Sequence, residues 1–131
     1  MYTLGHDFKP ANIHAGGLRY HGAGMIISQL IKDGYMHGVD IPQSESFKAG
    51  MLFARTEGII PAPESCHAIA ATIREAMKAK EAGEEKVILF CLSGHGLIDM
   101  PSYESYINGD LHDYAVSDDE IKKFLATVPE V

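Results

Sequence analysis

Two side chains in this 131-residue chain combine useful chemistry with an informative place in the sequence: Ser93 and Glu64. Ser93 stands in Leu92-Ser93-Gly94-His95-Gly96, directly after the continuous apolar run Val87 to Leu92. A hydroxyl donates and accepts, so it can hydrogen-bond a neutral ring nitrogen without requiring that nitrogen to be protonated. Glu64 follows Pro61-Ala62-Pro63 where a helix is expected to begin, and the helix dipole and free N–H groups there favour a carboxylate. A carboxylate facing a ring would influence the ring's protonation. Both residues also have plainer explanations: Ser93 and Gly94 can turn the chain, and Glu64 can cap its helix.

The other reactive side chains are less suggestive. The seven histidines, His6, His14, His21, His37, His67, His95 and His112, show no HExxH or comparable ligand spacing, so no metal site is expected. Cys66 and His67 are adjacent, and neighbours on a helix point about 100° apart, which argues against a nucleophile pair. The eight lysines all lie in polar or amphipathic contexts, unlike the buried, pKa-depressed lysine that forms a Schiff base. Ser93-Gly94-His95-Gly96 is too short for a phosphate loop and lacks the following Lys-Ser/Thr.

The elements that must position Ser93 and Glu64 suggest alternating strands and helices. Gly24 to Asp33 carries apolar residues at helical spacing, and Met36 to Pro42 reads as a short strand. Ser44 is placed to cap a helix running to Glu57 and stopped by Gly58. Ile59-Ile60-Pro61 is extended, because the residue before proline is pushed out of the helical region. A long helix is expected from Glu64 or Ser65 to Ala82, with Gly83 as its stop. Lys86 to Leu92 reads as a strand buried on both faces, the mark of a parallel sheet with helical crossovers. Asp99 to Asn108 is a short helix with Pro101 in its first turn, and Ser117-Asp118-Asp119-Glu120 is a capping box before a terminal helix ending near Thr127. The expected fold class is α/β, three layers α/β/α around a mainly parallel sheet. In such folds ligands bind beyond the carboxyl ends of strands, where Ser93 would lie.

Composition sets the outer bounds. With 46% hydrophobic residues, the expectation is a single α/β domain over 1–131, with a loop-rich arm over 1–24 and a terminal helix within 115–131. A structureless arm of that length is expected to cover something, and Gly16, Gly17, Gly22 and Gly24 permit close backbone approach. A net charge of −7 without a basic cluster argues against nucleic acid. The apolar runs are too short for a membrane span and no signal peptide opens the chain, so a cytoplasmic location is expected. Cys66 and Cys91 lack CxxC spacing and read as reduced, packing thiols.

Four blocks together resemble a known family: Tyr2 to Phe8, His14 to Gly22, Phe53 to Ser65 (FARTEGIIPAPES) and Lys86 to Gly96 (KVILFCLSGHG). Over about residues 1 to 114, in the same order, they resemble the carboxy-terminal third of the tryptophan synthase beta chain, in its second, longer-chain type. The combination is specific, since related beta chains carry EGIIPALES and LSGRG in that order. The resemblance implies a fold type II, pyridoxal-phosphate-dependent lyase that makes tryptophan from indole and serine; apolar surface that a missing domain would cover implies a homo-oligomer. The resemblance further implies that Ser93 partners the pyridine nitrogen, that Glu64 lies near the same ring, and that Gly94 and Ala15-Gly16-Gly17 line the pocket. No catalytic residue falls in this chain, because the family's Schiff-base lysine and Gly-rich phosphate loop belong to upstream segments. Two departures stand out: Cys91 where asparagine is common, and Leu97-Ile98 in place of a His-Phe pair.

Overall fold

The computed structural model describes residues 1 to 129, and the chain separates into two compact units. One comprises Met1–Ile13, Gly17–Asp40 and the chain from Tyr114 onward; the other comprises His14–Gly16 and Ile41–Asp113. Five α-helices are described: α1 (Met25–Lys32), α2 (Gln43–Glu57), α3 (Pro63–Ala82), α4 (Met100–Asn108) and α5 (Asp118–Leu125).

The second unit is built on α2 and α3. Left-handed glycines end both helices, Gly58 at φ 71° and Gly83 at φ 66°, and each returns its N–H to a carbonyl in the last helical turn. Pro63 opens α3, where a missing N–H costs nothing. The two helices touch closely at one point: a side-chain carbon on Gly50 would collide with Cys66 Sγ and come within 3.1 Å of the Tyr103 hydroxyl. Around that crossing Phe47, Cys66 and Tyr103 form one buried cluster, with Met51, Ile60, Tyr106 and Leu111 packed against it. Phe47 meets Tyr103 edge-on at 5.1 Å and stacks on Tyr106 at 5.9 Å, which docks α4 onto α2. A second cluster, Ala49, Ile69 and Ala70, gathers Ile41, Phe53, Ile73 and Phe90. Arg74 of α3 grips Glu45 of α2 through two nitrogens, with Nε to Oε1 at 2.6 Å.

The start of α2 is held by residues far along the chain. No side chain of its own caps it. Asp113 instead accepts from the Ser44 N–H at 2.9 Å and from the Ser44 hydroxyl at 2.5 Å. Gln43 donates to the His112 carbonyl and accepts from the His14 N–H. Ser44 is thus the second residue of its helix and a donor, not the expected cap.

In the first unit, Thr3 and Gly22 form an isolated antiparallel bridge. Tyr2 donates its N–H to the Ser28 hydroxyl of α1 at 2.9 Å, and Phe8 packs edge-on against Phe124 of α5 at 5.1 Å. The capping box ahead of α5 is present in both directions, Ser117 and Glu120 each serving the other's backbone.

The expected α/β/α sandwich with a mainly parallel sheet is not found: the described residues are helical, with no sheet beyond the Thr3–Gly22 bridge. Lys86 to Leu92 takes no regular secondary structure and forms no ladder. Ile88 and Phe90 are half-buried, and Phe90 lies edge-on to Phe53 at 6.0 Å. The alternate face is open, with Val87 100% and Leu89 95% exposed. A strand is completed by hydrogen bonds to a neighbour, and no described stretch supplies one here. Met36 to Pro42, the other expected strand, is likewise irregular and largely exposed. Among the described residues no helix is long and apolar enough to cross a membrane.

Candidate functional site

Ser93 is joined to the residue that follows Glu64, Ser65. The Ser65 side chain is buried in the first turn of α3, directly after Glu64. Its hydroxyl donates to the Ser93 carbonyl at 2.7 Å and accepts from the Ser93 N–H at 3.3 Å. One hydroxyl thereby binds both main-chain polar groups of Ser93, within its capacity of one donor and two acceptor positions. The Ser93 side chain itself is exposed.

The rest of the loop is fixed on the stretch preceding α3. Gly94 takes φ +69°, and a side-chain carbon there would sit 3.4 Å from Ala62 Cβ. Gly96 donates its N–H to the Ile60 carbonyl at 2.8 Å. It is buried so tightly that a side-chain carbon would strike the Pro61 carbonyl and stand 3.0 Å from the Tyr103 ring. His95 turns back on its own loop, its Nδ1 lying 3.3 Å from the Leu97 N–H.

Beneath this surface runs a buried hydrogen-bonded chain. The Tyr103 hydroxyl donates to the Pro61 carbonyl at 2.5 Å and stands 3.3 Å from the Cys66 thiol. With the tyrosine proton committed to Pro61, the thiol is the donor to Tyr103. Burial pushes the Cys66 thiol above its usual range and, with the thiol beside it, holds Tyr103 far above the usual phenol range. Both stay protonated. This arrangement excludes Cys66 as a nucleophile, and His67 is turned to the Pro63 carbonyl, 2.9 Å from its Nδ1. Both cysteines are free thiols; Cys66 is buried, but Cys91 is exposed.

Ser93 and Gly94 thus lie on the loop tied to Ser65, the residue that follows Glu64 in the chain. Glu64 is the second residue of α3, with Ala62 in the N-cap position. Gly16 and Gly17 open a 3-10 turn, Gly16–Leu18. The residue two positions before it is anchored elsewhere: His14 bonds Gln43 at the start of α2, and its ring meets the Ser102 hydroxyl of α4 at 3.0 Å. The roles of Ser65 and Tyr103 in holding this loop and the stretch before α3 were not legible in the sequence. Ser65 reads as one more helix-start serine until the loop is seen folded over it, and Tyr103 lies about forty residues from the carbonyl it holds.

The geometry defines a helical segment with the Ser93–Gly96 loop pinned to the stretch Ile60 to Ser65. Over 113 residues the chain is 60% identical to tryptophan synthase beta chain 2 of Aquifex aeolicus, a match covering 86% of this chain and 26% of that protein. It is 61% identical over 111 residues to the Methanosarcina mazei protein of the same name, covering 85% and 25%. The Thermotoga maritima protein, also tryptophan synthase beta chain 2, is 61% identical over 103 residues, covering 79% and 24%. No protein-family model matches. By descent the chain belongs to the tryptophan synthase beta family, and it spans about a quarter of the length of the curated relatives it matches.

Proposed function

We propose that this chain supplies the wall facing the pyridine ring in a pyridoxal-phosphate-dependent lyase that joins indole to a serine-type amino acid, giving tryptophan. The observation carrying this reading is the 60% identity over 113 residues, a span long enough to contain both Glu64 and Ser93 wherever it begins in a 131-residue chain. The residues present fit the cofactor's ring edge. Ser93 offers an exposed hydroxyl on a main chain held at both polar atoms, and the adjacent glycine leaves room beside it. When bound, pyridoxal phosphate supplies the electron sink that activates the amino acid for replacement at its β-carbon. Ser93 serves the ring nitrogen without protonating it, which limits how strongly the ring withdraws electrons. Glu64 sets the local field at the same edge, with Gly94 beside Ser93. The lysine and phosphate loop that the resemblance assigns to upstream segments complete the site, so the chain by itself does not turn over.

Ser93→Ala tests this in the chain reconstituted with an upstream portion carrying that lysine and loop. The variant is expected to shift the cofactor's absorbance and lower the rate of β-replacement. Unchanged spectrum and kinetics would remove Ser93 from the ring.

A second reading, a noncatalytic module that associates with itself, is favoured by the open apolar face of Val87 and Leu89.

A further inference from the structure

We infer that Ser65 is the positioning residue of the ring-side wall: its hydroxyl fixes the Ser93 main chain and so sets the direction of the Ser93 side chain relative to Glu64. This rests on the function proposed above for Ser93.

Several observations lead there. The Ser65 hydroxyl is the group that holds Ser93 at both its N–H and its C=O. With both polar atoms of a residue fixed, its Cα–Cβ direction is fixed as well, and only the side-chain torsion is left free. The loop is pinned a second time three residues on, where Gly96 donates to the Ile60 carbonyl at 2.8 Å. Both attachments fall on one short stretch, Ile60 to Ser65, which also carries Glu64. Ser65 is 4% exposed, so water does not compete for its hydroxyl. The stretch is itself held from below by Tyr103 through the Pro61 carbonyl. The two candidate ring-facing groups are thus parts of one braced unit, and Ser65 joins its halves.

Deleting the hydroxyl frees the Ser93 N–H and carbonyl together while leaving every apolar contact of α3 in place. In the 131-residue chain, Ser65→Ala is expected to raise amide hydrogen exchange at Ser93 about tenfold, the loss of about one net hydrogen bond. Ser65→Thr, which keeps the hydroxyl, restores protection. Ser105→Ala removes a hydroxyl that bonds only within α4 and leaves Ser93 exchange as it was. In the reconstituted enzyme, Ser65→Ala is expected to lower kcat with KM little changed and to alter the pH profile of cofactor absorbance, with Ser65→Thr again close to the parent. Unchanged Ser93 exchange in Ser65→Ala overturns the clamp. Normal kcat and pH profile in that variant, with the parent active, overturns the positioning role alone. A parent chain that never binds cofactor with its upstream portion removes the proposed function and the positioning role with it, while the exchange result still reports the clamp.

Discussion

At the scale of single residues, the Cys66–Tyr103–Pro61 chain carries the sharpest energetic consequence. Tyr103→Phe deprives the buried Pro61 carbonyl of its donor and the thiol of its acceptor. An unsatisfied buried polar group costs about 1–3 kcal/mol, so urea unfolding of this variant should show a loss in that range; a loss below about 0.5 kcal/mol would mean Pro61 finds water instead. The same chain sets an alkaline limit. Cys66 and Tyr103 have folded-state pKa values raised above their unfolded ones. Their contribution is therefore full below the ordinary thiol value of 9.0 and falls as pH rises past it, because the unfolded state gives up its protons first. Melting temperature should decline above about pH 9, and less steeply in Tyr103→Phe. A flat profile to pH 11 in the parent would contradict the assignment of both protons. Ser93 and Glu64 stood out as candidates because hydroxyl, carboxylate and glycine stand at punctuated positions in the sequence. Ser65 did not, because its role depends on a loop that arrives from 28 residues away.

At the scale of elements, the helices were legible and the strands were not, for one physical reason. Helix ends are local: Gly58, Gly83 and Gly109 stop α2, α3 and α4 in left-handed conformation, and the Ser117–Glu120 box starts α5. A strand is a relation between two stretches, and apolar runs alone do not report whether the second exists. Lys86 to Leu92 has the composition of a strand buried on both faces, yet only Ile88 and Phe90 find cover. The α2 start makes the converse point, since its anchor lies 69 residues from Ser44. Two hydrogen bonds from Ser44 hold the Asp113 carboxyl below its usual range. Its contribution is present above the ordinary carboxyl value of 3.8 and is lost as pH falls through the depressed folded value. Asp113→Ala should cost about 1 kcal/mol at neutral pH, the usual worth of a helix cap, and nothing once the pH is below both values. Gly50→Ala should cost more, about 1–3 kcal/mol, because the added carbon meets Cys66 across the helix crossing. Chemical denaturation of the two variants ranks them; a neutral Gly50→Ala would mean the helices part without penalty.

At the scale of the whole molecule, the chain combines a well-packed helical core with apolar surface that nothing described here covers. Val87 and Leu89 are the extreme case. Leu89→Lys should weaken self-association in sedimentation equilibrium without altering unfolding, since the side chain touches almost nothing within the chain; an unchanged association constant would move the contact elsewhere. The central claim is that this segment is one wall of a composite catalytic site. Its most direct test is to mix the chain with a separately folded upstream portion of a tryptophan synthase beta chain, carrying the lysine and phosphate loop, and to follow cofactor absorbance and tryptophan formation from indole and serine. The expected result is that neither piece alone gives product and the mixture does, with Ser93→Ala altering the spectrum. Two folded pieces that stay silent together would contradict the account and leave descent, rather than catalysis, as what this chain shares with its relatives.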